Sequence, residues 1–150
     1  MTTMDALDEK ILRELEADGR ISNLQLAERV GLSPSACFRR VQLLEADGTI
    51  RGYRAILDRK RLGAGLVIFV MVALKGQLKI DALAFEEAMD HAPEVRECHN
   101  VTGSVEYLLR VEVADLDAYK YFHSETLGTL NQVNSITSLV CLGSSKDARA

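Results

Sequence analysis

The sequence has few of the residues that mark several large classes of protein. Its 150 residues include no tryptophan, two prolines and three cysteines. Cys37, Cys98 and Cys141 are widely separated and odd in number, a pattern that predicts neither a disulfide framework nor a structural zinc site. The longest apolar run, residues 66–74, is far shorter than the ~20 residues of a membrane-spanning helix. With 47% apolar and 27% charged residues, the chain has the composition of an ordinary globular protein.

The N-terminal segment also lacks the apolar stretch of a secretory signal, because residues 1–10 carry acidic side chains instead. We therefore expect a cytoplasmic protein without a membrane partner. The length fits one ordinary domain or two small ones.

Charge is distributed unevenly along the chain, although the net charge is only −4. Residues 29–61 hold eight basic and three acidic side chains, whereas the segments before and after them are acidic. A local excess of positive charge is what a phosphate backbone attracts. A solvated surface is the alternative explanation of such a run.

The N-terminal third predicts three helices. Asp5 has the side chain of an N-cap, and Ser22 with Gln25 forms the pattern of a capping box at the start of the second helix. The predicted apolar stripe of that helix is Leu24, Ala27 and Val30. Gly31 follows at once and suits a left-handed C-cap. The third helix begins only three or four residues later, which is the spacing of a helix-turn-helix.

The third helix is predicted to run from Pro34 to about Asp47, with Ser33 as its N-cap and Pro34 at its first position. Its predicted core face carries Cys37, Val41 and Leu44. Its other faces carry serines, which bond phosphates, and arginines, which pair with guanine. The candidate DNA-binding residues here are Ser33, Ser35, Ala36, Phe38, Arg39, Arg40 and Gln42. Two alternatives stay open: Phe38 belongs to the core, or one arginine pairs with an acid of the first helix.

Residues 50–57 alternate in a way that predicts a strand or hairpin after the third helix. Arg51 and Arg54 lie on it and complete the candidate DNA-binding set. The pattern as a whole predicts a winged helix-turn-helix that binds double-stranded DNA.

The rest of the chain alternates strands and helices. We predict strands at 66–74, 95–101, 105–113 and 133–142, with helices at 80–91 and from Asp115 through Leu127 and Leu130. In the second helix Leu116, Tyr119 and Phe122 lie at helical spacing.

This order is that of a ferredoxin-like βαββαβ unit. The predicted fold class is therefore α+β: residues 1–62 form a winged helix-turn-helix with its linker, and residues 63–150 form a regulatory domain. Two helices cover one face of a sheet, yet the first strand is apolar on both. We therefore predict a homodimer through the other face, which sets two DNA-binding heads side by side.

The residues quoted above resemble the Lrp/AsnC (leucine-responsive/asparagine regulator) family of transcription factors. The densest matches are Val30-Gly31-Leu32-Ser33-Pro34, Arg39-Arg40-Val41 and Gly48-Thr49-Ile50 with Gly52-Tyr53. The resemblance implies a DNA-binding regulator of amino-acid metabolism or transport, dimeric and often assembled into octamers. We expect neither enzymatic activity nor a cofactor. It also implies an amino-acid effector bound between C-terminal domains.

In that family the effector site surrounds a Gly-Asp-x-Asp-Tyr turn, which here reads Gly103-Ser104-Val105-Glu106-Tyr107. Both acids are altered. The resemblance implies effector contacts from Thr102, Gly103, Ser104, Glu106 and Tyr107, with backbone N–H groups for a carboxylate and Glu106 for an ammonium. The alternative is that these residues form only a polar hairpin turn.

Two other functions compete with this interpretation. An enzyme would use the three histidines with Cys98, but the sequence has no HxxxH, GxSxG or P-loop spacing. An amino-acid-sensing adaptor would use the helix-turn-helix to bind protein instead of DNA. The salt dependence of duplex binding separates the adaptor from the regulator.

Overall fold

The structure, a computed structural model, describes residues 4–147. The chain divides into two compact units, one up to Ala55 and one from Ile56. Each unit has its own cluster of buried apolar side chains. No helix among the described residues is both long and apolar enough to cross a membrane.

The first unit contains the three predicted helices. They are α1 (Ala6–Ala17), α2 (Asn23–Val30) and α3 (Pro34–Ala46). All three predicted N-caps are confirmed, since the side chains of Asp5, Ser22 and Ser33 each accept a backbone N–H of the following turn. Capping satisfies amide groups that a helix leaves unpaired at its first turn.

The turn between α2 and α3 depends on Gly31, whose φ of 78° lies in the left-handed region. Its N–H bonds the carbonyl of Ala27, and so does the N–H of Leu32. Glycine reaches this conformation without steric cost, so the chain reverses sharply and brings α3 against α2.

The core of the first unit corrects the predicted stripe of α2. Leu26, Ala27 and Val30 are buried, whereas Leu24 is 58% exposed. At about 100° per residue the three buried positions lie within one arc, and Leu24 lies outside it. Cys37 and Leu44 are buried and Val41 is half-buried, as the predicted core face of α3 requires.

The strand or hairpin predicted at 50–57 is wrong. The segment forms no strand pairing, and its residues beyond Ile50 are exposed. An extended segment is a strand only when a neighbouring strand supplies hydrogen bonds. Gly52, with a φ of 153°, also interrupts the alternation.

The second unit is the predicted ferredoxin-like fold. Its elements are β1 (Leu66–Leu74), α4 (Lys79–His91), β2 (Val95–Asn100), β3 (Tyr107–Val113), α5 (Leu116–Tyr121), a π-helical segment (Phe122–Leu127) and β4 (Val133–Val140). The strand order is β2-β3-β1-β4, and the neighbouring strands run antiparallel.

The core of this unit lies on one face of the sheet. Ile68, Val70 and Val72 of β1 are fully buried there with Phe85 of α4 and Phe122 of the π-helical segment. Intervening residues of β1 point to the opposite face, which we call the open face, and are half-buried. The open-face residues of β1 are Val67, Phe69, Met71 and Ala73.

The helix predicted from Asp115 differs from the structure in its second half. Asp115 caps α5 as predicted, but the chain changes to a π-helix at Phe122. The wider turn keeps both Phe122 and Leu127 buried, and Leu116 is 60% exposed instead of joining the stripe.

Candidate functional site

The N-terminus of α3 is fixed by polar contacts. The Ser33 hydroxyl accepts the N–H of Ala36 at 3.3 Å and lies 3.4 Å from the Ser35 hydroxyl. The side-chain amide of Asn23 on α2 donates to the carbonyl of Pro34 at 2.8 Å. These bonds hold the first turn of α3 against α2, so Ser33 acts first as a cap.

The exposed surface of α3 carries several of the predicted residues. Phe38 is 53% exposed, which removes it from the core, and Arg39 is exposed beside it. Gln42 is exposed one turn later. Arg51 and Arg54 are also exposed in the segment after α3. An exposed guanidinium can donate to phosphates or to guanine.

Arg40 is engaged within the protein. Its Nη1 lies 2.8 Å from Oδ2 of Asp5 and 2.8 Å from Oδ1 of Asp8. The backbone N–H of Asp8 and the Arg40 guanidinium both lower the pKa of Asp5, and the two carboxylates raise the pKa of Arg40. The alternative that one arginine pairs with α1 is therefore confirmed for Arg40.

The segment after α3 is held by Tyr53. Its hydroxyl donates to Oε1 of Glu45 at 2.9 Å. Burial of the side chain is the larger cause, and the Glu45 carboxylate the smaller, of a raised pKa of Tyr53.

The surface of α3 also borders a cavity of about 430 Å³. Its lining includes Ala36, Arg39 and Arg40, with Met4 and Leu43.

A second cavity, of about 410 Å³, lies in the second unit where β1 and β2 end and β3 begins. Thr102, Gly103, Glu106 and Tyr107 line it, and Ser104 is not among its lining residues. Its remaining lining residues are Leu74, Gly76, Gln77, Leu78, Ala82, Asn100, Val101 and Val105. The volume falls in the ~300–1,000 Å³ range of small-molecule sites.

Glu106 is tied to the backbone around this cavity. Its Oε2 accepts the N–H of Leu74 at 2.7 Å, at the point where the register between β1 and β4 shifts. Its carbonyl accepts the N–H of Val101 at 2.9 Å and the side-chain amide of Asn100 at 3.2 Å. One oxygen of the carboxylate is thus fixed by the backbone at the end of β1.

Tyr107 forms the floor of the cavity and is only 1% exposed. Its hydroxyl donates to Oε1 of Glu86 at 2.6 Å, and the centroid of its ring lies 4.6 Å from the ring centroid of Phe85. Burial, followed by the Glu86 carboxylate, raises the pKa of Tyr107 to about 12. The ring therefore shapes the cavity while its hydroxyl is occupied.

Sequence reasoning missed the wall opposite the turn. Leu74, Leu78 and Asn100 come from the end of β1, the start of α4 and the end of β2. Gly76 after the apolar run indicated that the strand ends there, but no pattern in the sequence showed that these three chain segments meet around one cavity.

The described residues contain no group of three or more histidine, cysteine or acidic side chains able to hold a metal ion. Cys98 is half-buried, and burial with the nearby Glu86 raises its pKa to about 11. Its thiolate is scarce at neutral pH, so it is a poor nucleophile.

A capped helix-turn-helix with exposed arginines, joined to a ferredoxin-like unit with a small-molecule cavity, defines a class: a ligand-responsive, DNA-binding transcriptional regulator. Family comparison agrees, since residues 4–51 match the model of a winged helix-turn-helix DNA-binding domain and residues 67–150 match that of the Lrp/AsnC ligand-binding domain. The chain belongs to the Lrp/AsnC family of transcriptional regulators. Members of this family are not enzymes.

Individual relatives agree along most of the chain. A leucine-responsive regulatory protein of Rhizobium meliloti is 43% identical over 97% of this chain and 93% of its own length. That of Escherichia coli K12 is 42% identical over 93% and 85%. The crystal structure of a Neisseria meningitidis transcriptional regulator in complex with L-Met matches with a TM-score of 0.93 and 36% identity, covering 97% of this chain and 94% of that one.

Proposed function

We propose that α3 is the recognition helix and that its exposed side chains, with the two arginines after it, make the DNA contacts. The proposed set is Ser33, Ser35, Ala36, Phe38, Arg39, Gln42, Arg51 and Arg54. The main support is the division between the arginines: Arg39 is exposed, whereas Arg40 is bonded to Asp5 and Asp8. Arg40 contributes to DNA binding indirectly, because its ion pairs with Asp5 and Asp8 fix the position of α3.

Duplex binding at several salt concentrations tests this proposal. A protein that neutralises several phosphates loses affinity linearly in log–log form, with a slope of about −0.9 per phosphate. We expect R51A and R54A to lower the slope and R39A to reduce sequence preference as well. A duplex affinity of the wild-type chain that does not change with salt concentration would contradict the proposal.

We further propose that the cavity around residues 102–107 binds an amino acid and that this controls DNA binding. Names of relatives support it, since one responds to leucine and one was solved with L-Met. The exposed backbone at Thr102, Gly103 and Ser104 would hold the carboxylate, and Glu106 the ammonium. Tyr107 and Leu74 would bound the side-chain space.

A thermal-shift titration with L-leucine and L-methionine tests the ligand. A compound that binds only the folded state raises the apparent stability by RT ln(1 + [L]/Kd). We expect one of them to raise the Tm of the wild-type chain and E106Q to lose that shift while still binding duplex DNA. An E106Q protein with the full shift would place the ammonium elsewhere.

The assembly is proposed as a homodimer through the open face. Phe69 and Met71 are only half-buried there, and covering them with a second copy removes apolar surface from water.

In this proposal residues 1–62 are the DNA-binding region with its linker, and residues 63–150 are the regulatory domain. The protein acts in the cytoplasm. Two copies of α3 then occupy successive major grooves roughly 34 Å apart, and assembly into octamers is a further step.

A further inference from the structure

A buried carboxylate on the open face is surrounded by arginines from separate parts of the second unit. The side chain of Glu112 on β3 is 6% exposed. Its Oε2 lies 3.2 Å from Nε of Arg59 and 4.0 Å from Nε of Arg96, and its Oε1 bonds Arg110. Arg110 also lies 3.6 Å from Asp147 near the C-terminus. Arg59 belongs to the segment between α3 and β1, which we call the linker. The linker, β2, β3 and the C-terminal segment therefore meet at one charge.

The two oxygens of Glu112 are compensated differently. Oε1 has a hydrogen bond from Arg110, whereas Oε2 is buried and has no hydrogen-bond partner among residues 4–147. A buried charge is costly unless an opposite charge is close. Arg59 is the nearer of the two cations beside Oε2, so the position of this linker residue stabilises the buried carboxylate.

Arg59 is presented by an ordered turn. Oδ1 of Asp58 accepts the N–H groups of Lys60 and Arg61, and the carbonyl of Arg59 accepts the N–H of Ala64 at 2.9 Å. The residues before it are less closely packed, since Ile56 is 61% and Leu57 50% exposed. The ion pair is thus a principal tie between the linker and the sheet.

We propose that the Arg59–Glu112 ion pair is a latch that fixes the linker to the regulatory domain and thereby limits how freely the DNA-binding unit is placed. Arg59 and Glu112 are positioning residues in this scheme, since neither is assigned a contact with DNA or ligand. With the latch closed, the free chain leading to the first unit ends before Arg59, and a shorter tether restricts its reach. The expected effect on DNA binding rests on the proposed function, a homodimer that binds DNA through α3.

Hydrogen exchange of the full chain, followed by mass spectrometry, tests the latch without DNA. We expect R59Q to raise exchange of the 56–64 peptide about tenfold, because the turn opens more often once its tie is lost. E112Q should have the same effect, and the double variant no more than either. R61Q is the matched control, since Arg61 pairs only with the exposed Asp58 among the ion pairs described. An R59Q chain that exchanges like R61Q would overturn the proposal, whether or not E112Q folds.

Operators with varied half-site spacing test the consequence for DNA. The wild-type chain should prefer one spacing, whereas R59Q should lose most of that preference and R59K, which keeps the charge, should retain it. An equal loss of affinity at every spacing in R59Q would overturn the positioning role and indicate a phosphate contact. A wild-type chain that fails to bind any duplex would refute the proposed function and leave the exchange result standing.

Discussion

At the scale of single residues, two adjacent arginines differ in their surroundings. Arg40 is bonded to two carboxylates of the first unit, and Arg39 is exposed. We expect R39A to lower the affinity for a cognate duplex at least about tenfold, the loss of a good base or phosphate contact, with an unchanged Tm. R40A should lower the Tm, since it leaves Asp5 and Asp8 without their cation.

Fluorescence anisotropy on duplex DNA and thermal unfolding of both variants provide the two readouts. Replacing both arginines should abolish binding while the oligomer persists. If R39A bound as well as the wild type and R40A did not, the assignments of the two residues would have to be exchanged.

Asp5 gives the first unit a defined dependence on pH. Its pKa is lowered below the usual 3.8, so the folded state binds this proton less readily than the unfolded chain. The carboxylate therefore contributes stability that is fully present above that usual value and is lost as pH falls through the folded-state pKa. D5N retains a capping side chain but not the charge. Its Tm should be lower than wild type at pH 7, and the difference should shrink below about pH 4.

At the scale of elements, the π-helical segment is the least ordinary part of the fold. Gly128 ends it, with its N–H on the carbonyl of His123 at 2.9 Å. A Cβ at this position would lie 2.8 Å from the carbonyl oxygen of Ser124 and 3.1 Å from that of His123. G128A should therefore destabilise the chain by roughly 1–3 kcal/mol, the usual cost of overpacking.

Urea unfolding of G128A measures that cost. G143A is its control, because a Cβ there meets nothing within 4 Å. Equal midpoints for G128A and wild type would mean that the segment relaxes into an α-helix without loss.

The accuracy of sequence reasoning differed between elements for physical reasons. Caps are local, so Asp5, Ser22 and Ser33 predicted the starts of α1, α2 and α3 correctly. The alternation at 50–57 was an unreliable guide, because a strand also requires a partner. The change to a π-helix depends on packing and left no periodic pattern.

The candidate sites show the same limit. The turn at 102–107 was predicted to be near a ligand, and the cavity there includes four of its five predicted residues. The opposite wall, and the approach of Arg59 to Glu112, join residues far apart in sequence. Contacts of this kind follow from the topology of the sheet, which a single sequence specifies only in outline.

At the scale of the whole molecule, the proposed homodimer forms through the open face. The Glu112 cluster lies on it, and Phe69 and Met71 of β1 are its half-buried apolar residues. A homodimer formed there would bury those side chains and carry two recognition helices. Two linked heads bind a twofold site more tightly than one, because the second contact is made within the same complex.

A charge placed on this face tests the assembly. M71E puts a carboxylate where the second copy would exclude water, so the chain should become monomeric in analytical ultracentrifugation and bind a twofold operator at least about tenfold more weakly. Its binding to a single half-site should be unchanged, because α3 is untouched. I80E is the matched control: it adds the same charge on α4, where Ile80 is 72% exposed. A dimeric M71E protein, or an I80E protein that also dissociates, would show that the copies meet through another surface.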